Sequence, residues 1–140
     1  LGMANIVLEA DADKVSNGNT CVIVTYGMGV HWALNAARSF NGRVEIIDLR
    51  TIYPLDTDTV FNAVRKHGKC LVVTEESINN SFAQSLAGRI QEACFTSLDA
   101  PVMTIGSENL PAIPLNSTLE ETFIPSISKV EAAIQRLLDY

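Results

Sequence analysis

Few residues in this chain stand where their types and spacing could do chemistry. Gly27-Met28-Gly29 sits between an apolar run and a helical pattern, a place where a glycine-rich bend lets helix amides approach a phosphate. A dinucleotide fingerprint needs another glycine three positions after Gly29; Trp32 stands there, and Asp48 alone does not supply the rest. The bend reads first as a tight turn with close packing. His31 falls in the first turn of the following helix and reads as a hydrogen-bonding histidine, since no cysteine, serine or second histidine completes a nucleophile motif around it. His67 sits at a helix end, where capping is its expected role. Glu75 and Glu76 follow a strand and could mark a ligand crevice, but acid–base work needs two carboxylates in different environments, and adjacent ones read as a solvated loop. Cys21, Cys70 and Cys94 are odd in number and set among apolar neighbours, which predicts buried thiols and neither a disulfide nor a zinc site. No catalytic, cofactor-binding or metal-ligating residue is assigned.

The balance of the chain sets the frame for those residues. With 140 residues, 47% of them hydrophobic and 19% charged, it has the apolar content for one domain with its own core, which excludes intrinsic disorder. Sixteen acidic against ten basic residues give a net charge of −6, which argues against binding a phosphate backbone or an anionic membrane and suits a basic protein partner. Glu120, Glu121 and Asp139 concentrate acid in the last stretch, as ordinary surface or as a docking patch. No apolar run approaches the ~20 residues that span a bilayer, and the opening lacks the layout of a signal peptide, so a cytoplasmic protein is expected. Leu1-Gly2 ahead of Met3 reads as a cloning remnant on a piece of a longer chain, with residues 1–140 forming a single domain.

Strands and helices must position these groups. Ile6 to Leu8 is a short apolar run before a turn-rich connector, suited to an edge strand. Cys21 to Tyr26 is a continuous β-branched run, as in a strand buried on both faces. Val30, Ala33, Leu34 and Ala37 then form a helical stripe ended by Asn41-Gly42. Val44 to Leu49 is strand-like, Asp56 or Thr57 offers an N-cap for a helix carrying Val60, Ala63 and Val64, and Gly68 closes it. Cys70 to Thr74 is a further strand; Ala83, Leu86, Ala87, Ile90 and Cys94 mark the next helix. Pro101 to Ile105 is strand-like, and Gly106 to Pro125 reads as a long proline-bearing loop. The final helix buries Ile127, Val130, Ile134, Leu137 and Leu138, with Ser128 and Glu131 in capping-box spacing. Such alternation predicts a three-layer α/β domain with a mostly parallel sheet.

Several strings taken together resemble a known family. Val24-Thr25-Tyr26-Gly27, Val30 to Leu34, the string from Val44 to Asp56, Val72 to Glu76, Leu98 to Val102, and Pro114 to Pro125 before the last helix are similar, in order, to the carboxy-terminal domain of the beta subunit of thiamine-diphosphate-dependent 2-oxo acid dehydrogenases, within the transketolase carboxy-terminal domain family. The family's usual Gly-Gly turn after the acidic pair is replaced by Ile78-Asn79-Asn80-Ser81-Phe82. The resemblance implies a three-layer α/β/α fold whose five-stranded mixed sheet has its first strand antiparallel. It also implies thiamine diphosphate and magnesium held by other parts of the parent enzyme and none in this domain. His31, Asp48, Arg50, Thr51 and Pro54 are implied at subunit contacts with the remaining domains and the alpha subunit. Asp139 and Tyr140 are implied in docking the subunit-binding module of a dihydrolipoyl acyltransferase. Asp48, Arg50 and Pro54 equally suit bracing the strand-to-helix connection itself. The Asp48 to Asp56 pattern is shared by transketolase and deoxyxylulose-phosphate synthase, and a free-standing nucleotide- or flavin-binding α/β protein would use the Gly27 to Gly29 bend.

Overall fold

Val22, Ile23 and Val24 leave the strand β2 (Cys21–Thr25) without a polar side, so it must be covered on both faces. In the computed structural model, which describes residues 2–79, 81–107 and 127–140, it is the middle strand of five. The strands β1 (Asn5–Leu8), β3 (Val44–Asp48), β4 (Cys70–Ser77) and β5 (Met103–Ser107) complete the sheet in the order β1-β3-β2-β4-β5. β1 runs antiparallel to β3 and every other pair is parallel, as the resemblance implies. Side chains alternate along β2: Cys21 and Ile23 enter the core on one face, Val22 and Val24 the core on the other.

Four helices follow from the same arithmetic. α2 (Met28–Ala37) and α5 (Ile127–Leu138) cover the first face through Ala33, Ala36, Val130, Ile134 and Leu137. α3 (Thr57–His67) and α4 (Phe82–Cys94) cover the second through Val60, Val64, Leu86 and Ile90. A short helix not expected from sequence, α1 (Ala12–Ser16), lies in the connector between β1 and β2 and buries nothing. Single 3₁₀ turns, Arg38–Phe40 and Phe95–Ser97, extend α2 and α4. Asp56 caps α3 by accepting from the Thr59 amide, and Gly68 ends it with a left-handed φ of 74°. Ser81 caps α4 through the Gln84 amide.

Some expectations change. Leu34 and Ile127 are exposed rather than buried, because each lies at the margin of its helix's apolar stripe. Ser128 stands inside α5, after Ile127, and so is not its N-cap. β5 takes in Gly106 and Ser107, which read as loop; the rest of the proline-bearing loop and Asn80 lie outside the described residues. The three thiols are buried. Burial pushes Cys21 up to about 12, against the pull of Lys69 and Arg43, so its thiol is expected to react with a thiol reagent at pH 8 only as the chain unfolds.

His67 is no cap but a buried partner. Its Nδ1 is hydrogen-bonded to the Thr20 hydroxyl at 2.7 Å, and its Nε2 lies 3.3 Å from Glu45 Oε1, off the line of a hydrogen bond. Lys66 Nζ donates to the same Oε1 at 3.1 Å. Glu45, on β3, is 1% exposed. Burial alone raises its pKa, but the contacts and charges of His67 and Lys66 outweigh that and hold it below the usual carboxylate value of 4.5. A depressed folded-state value means that Glu45 stabilises the fold fully above its unfolded value and loses this as pH falls through the folded one. Glu45→Gln is expected to cost roughly 1–3 kcal/mol at pH 7 in urea melts. The gap to the parent should close below pH 4, and a gap unchanged down to pH 3 would count against the pair.

Candidate functional site

In a parallel sheet the connections that leave the strands' carboxyl ends gather on one rim, and ligand or partner contacts concentrate there. Here β2 leads through Tyr26 and Gly27 into α2, β3 leads through Leu49 to Asp56 into α3, and β4 continues through Glu75 and Glu76. The Leu49 amide donates to the Thr25 carbonyl at 2.9 Å, which fastens the β3 connection beside the end of β2.

Gly27 has φ 59°, and a Cβ there would lie 3.2 Å from Glu75 Oε1. A carboxylate of this chain therefore already stands against the amino end of α2, where a phosphate would have to sit. Gly29 is required by closeness: a Cβ would fall 1.9 Å from Thr25 Oγ1, whose hydroxyl donates to the Val73 carbonyl. The bend is thus a tight packing turn whose surroundings do not fit a diphosphate. Among the described residues no group of three or more His, Cys, Asp or Glu is placed to hold a metal ion.

Glu75 and Glu76 are exposed, but they belong to the extended end of β4 rather than to a free loop. The Glu76 amide donates to Thr74 Oγ1, and the Tyr26 hydroxyl donates to Glu76 Oε1 at 2.9 Å. Since the phenol has one proton, Thr74 donates to the Tyr26 oxygen at 2.7 Å and a closed ring of three hydrogen bonds results. Burial pushes the Tyr26 phenol up and Glu76 adds to it, against the Thr74 bond. The ring also packs edge-on against Phe82 at 5.9 Å.

The structure brings five of the seven residues of interest to this rim. His31 is exposed on the first turn of α2, and Asp48 ends β3 half-buried. Asp48 Oδ1 accepts from the Arg50 amide at 3.0 Å, and the Thr51 amide donates to the Leu49 carbonyl at 2.6 Å. Arg50 is thereby the centre of a γ-turn with φ 60°, a conformation that costs a side-chain-bearing residue energy. Thr51 Oγ1 is buried without a hydrogen-bond partner among the described residues, and the Tyr53–Pro54 peptide is cis. Tyr53 is 91% exposed and Met28 50%. The opening residues strap this loop: the Ala4 amide donates to Asp56 Oδ2 at 3.0 Å. The Thr59 hydroxyl foremost, then the Ala4 and Thr59 amides, hold the Asp56 carboxyl below its usual value.

Asp139 and Tyr140 lie at the other end. Lys69, immediately ahead of β4, donates to the Leu138 and Tyr140 backbone oxygens at 3.3 Å each, which places the end of α5 beside the strands' amino ends. The exposed Asp99 joins them there, its amide donating to the Gly68 carbonyl at 2.7 Å. The roles of Glu45, Lys69 and Tyr26 are not apparent from motif matching. One signal existed: Glu45 interrupts an apolar strand, and Lys69 directly precedes another, so burial would force each to find partners.

An α/β/α sheet of this order, with an antiparallel edge strand and a glycine-bearing first crossover, defines a class, and the comparison with known families agrees. Residues 10–130 match the transketolase C-terminal domain, and the chain belongs to that family. Among curated proteins, the 2-oxoisovalerate dehydrogenase subunit beta of Bacillus subtilis (strain 168) is 37% identical over 132 residues, covering 92% of this chain and 40% of that protein. The pyruvate dehydrogenase E1 component subunit beta of Rhizobium meliloti (strain 1021) is 35% identical over 121 residues, covering 84% of this chain and 26% of that protein. The chain therefore spans well under half the length of these relatives. Among solved structures, one described as a split gene transketolase, inactive beta4 tetramer, superposes with a TM-score of 0.75 at 20% identity, over 99% of this chain and 43% of that one, a likeness of fold alone.

The strained turn yields a direct test. Glycine accepts φ 60° without the steric cost that arginine bears, so Arg50→Gly is expected to leave stability unchanged or raise it by up to about 1 kcal/mol. A chemical melt showing a loss of more than that would mean that the Arg50 side chain braces the fold.

Proposed function

We propose that this chain is the carboxy-terminal domain of the beta subunit of a thiamine-diphosphate-dependent 2-oxo acid dehydrogenase, acting on pyruvate or a branched-chain 2-oxo acid. The parent enzyme is an oxidoreductase that decarboxylates the acid on thiamine diphosphate, with magnesium, and passes the acyl group to lipoamide. The domain itself carries no catalytic step; it organises the assembly. The observation that carries this reading is the match along 92% of the chain to a 2-oxoisovalerate dehydrogenase beta subunit.

Two surfaces divide the work. The carboxyl-end rim, with His31, Asp48, Arg50, Thr51 and Pro54, meets the remaining domains and the alpha subunit. Its strained turn, its orphaned Thr51 hydroxyl and the exposed Tyr53 and Met28 suit a surface completed by a partner. The opposite end, where Asp99 also lies, presents Asp139 and Tyr140 to the basic subunit-binding module of a dihydrolipoyl acyltransferase. The net charge of −6 favours such a partner. A cytoplasmic location is part of this reading; among the described residues no helix is long and apolar enough to cross a membrane.

Calorimetric titration of the chain with that module at low and at higher salt tests the docking role. Binding that weakens as salt rises is expected, with Asp139→Asn both weaker and less salt-dependent, and no heat from thiamine diphosphate alone. A folded chain that ignores the module would leave subunit assembly as the domain's whole role.

A further inference from the structure

Lys69 is charged yet only 4% exposed, and it stands where β4 begins. A lysine taken out of water must find acceptors, and the last turn of a helix offers carbonyls that have no partner of their own, at the negative end of the helix dipole. Its Nζ meets two backbone oxygens there, those of Leu138 and Tyr140, each at 3.3 Å. The same turn is closed by the Asp139 amide on the Gln135 carbonyl at 3.1 Å and, more loosely, by the Tyr140 amide on the Leu137 carbonyl at 3.4 Å.

The side chains face the other way. Asp139 and Tyr140 are exposed, and Asp139 Oδ1 is steadied by the Gln135 amide group at 2.9 Å. The base from which Lys69 reaches is itself fixed: His67 is bound to Thr20, and the Gly68 carbonyl takes the Asp99 amide. We propose that Lys69 is a positioning residue for docking: from inside the fold it sets the orientation in which Asp139 and Tyr140 meet a basic protein module. This rests on the docking reading above. Ordering that turn before the partner arrives removes an entropic cost of binding.

The test compares the parent chain with Lys69→Met, which keeps the stem and removes the ammonium. Both are titrated calorimetrically with the subunit-binding module of a dihydrolipoyl acyltransferase, at a temperature well below both melting points. Amide hydrogen exchange at Asp139 and Tyr140 is followed in the same samples. Loss of a charge-assisted anchor is expected to speed exchange at both amides and to weaken binding about tenfold. The salt dependence should stay that of the parent, because no charge facing the partner is lost. A residue that only stabilised the fold would lower the melting temperature and leave the affinity of the folded chain as it was. Equal affinities with faster exchange therefore overturn the positioning role and leave docking intact, and unchanged exchange overturns the anchor. A folded parent that does not bind overturns the docking reading and the role of Lys69 with it. If Lys69→Met does not fold, Lys69→Gln, which keeps a donor without the charge, gives the same comparison.

Discussion

The central strand has no polar side, and the rest of the molecule follows from that. Because Val22 and Val24 need cover on one face and Cys21 and Ile23 on the other, helices must lie on both sides of the sheet. Side chains that carry charge or hydrogen-bonding groups are then left with the helix backs and the two ends of the strands. The helix backs are scattered solvated positions. The ends are where polar groups collect, and each end has its own character: a rim of connecting turns at the carboxyl ends, and a buried charge network at the amino ends.

That network is held by three consecutive residues, each making a different connection. The His67 side chain faces Glu45 and Thr20, the Gly68 carbonyl holds the Asp99 amide, and the Lys69 ammonium reaches the last turn of α5. Gly68 makes this possible, since its positive φ turns the chain sharply between α3 and β4 and a Cβ would press within 2.5 Å of an Asp99 carboxylate oxygen. Elements far apart in sequence meet at one short bend, which is why a single motif could not announce the arrangement.

Much of the architecture was legible from periodicity. The continuous apolar runs at β2 and at the start of β4 have one explanation, burial on two faces, and the glycines and the Asp56 cap mark where helices begin and end. Side chains at stripe margins were not, because Leu34 and Ile127 depend on how far a neighbouring element reaches and not on their own spacing. His67 was misread for a related reason: position in a helix suggests a cap, while its burial is decided by Glu45, twenty-two positions earlier in the chain. At the rim, the family string from Asp48 to Pro54 marked the right segment. The left-handed Arg50 could not be foreseen, since arginine rarely adopts that conformation and only the Asp48 and Leu49 bonds around it impose it.

The placement of the two surfaces at opposite ends of a parallel sheet has a mechanical meaning. β4 runs eight residues from the bend at Lys69 to the acidic rim, about 26 Å of hydrogen-bonded strand at ~3.3 Å per residue. A sheet clamped between two helical layers changes length very little, so the domain acts as a rigid strut. In the proposed assembly, a partner docked at Asp139 and Tyr140 would be held at a fixed stand-off from whatever meets the carboxyl-end rim.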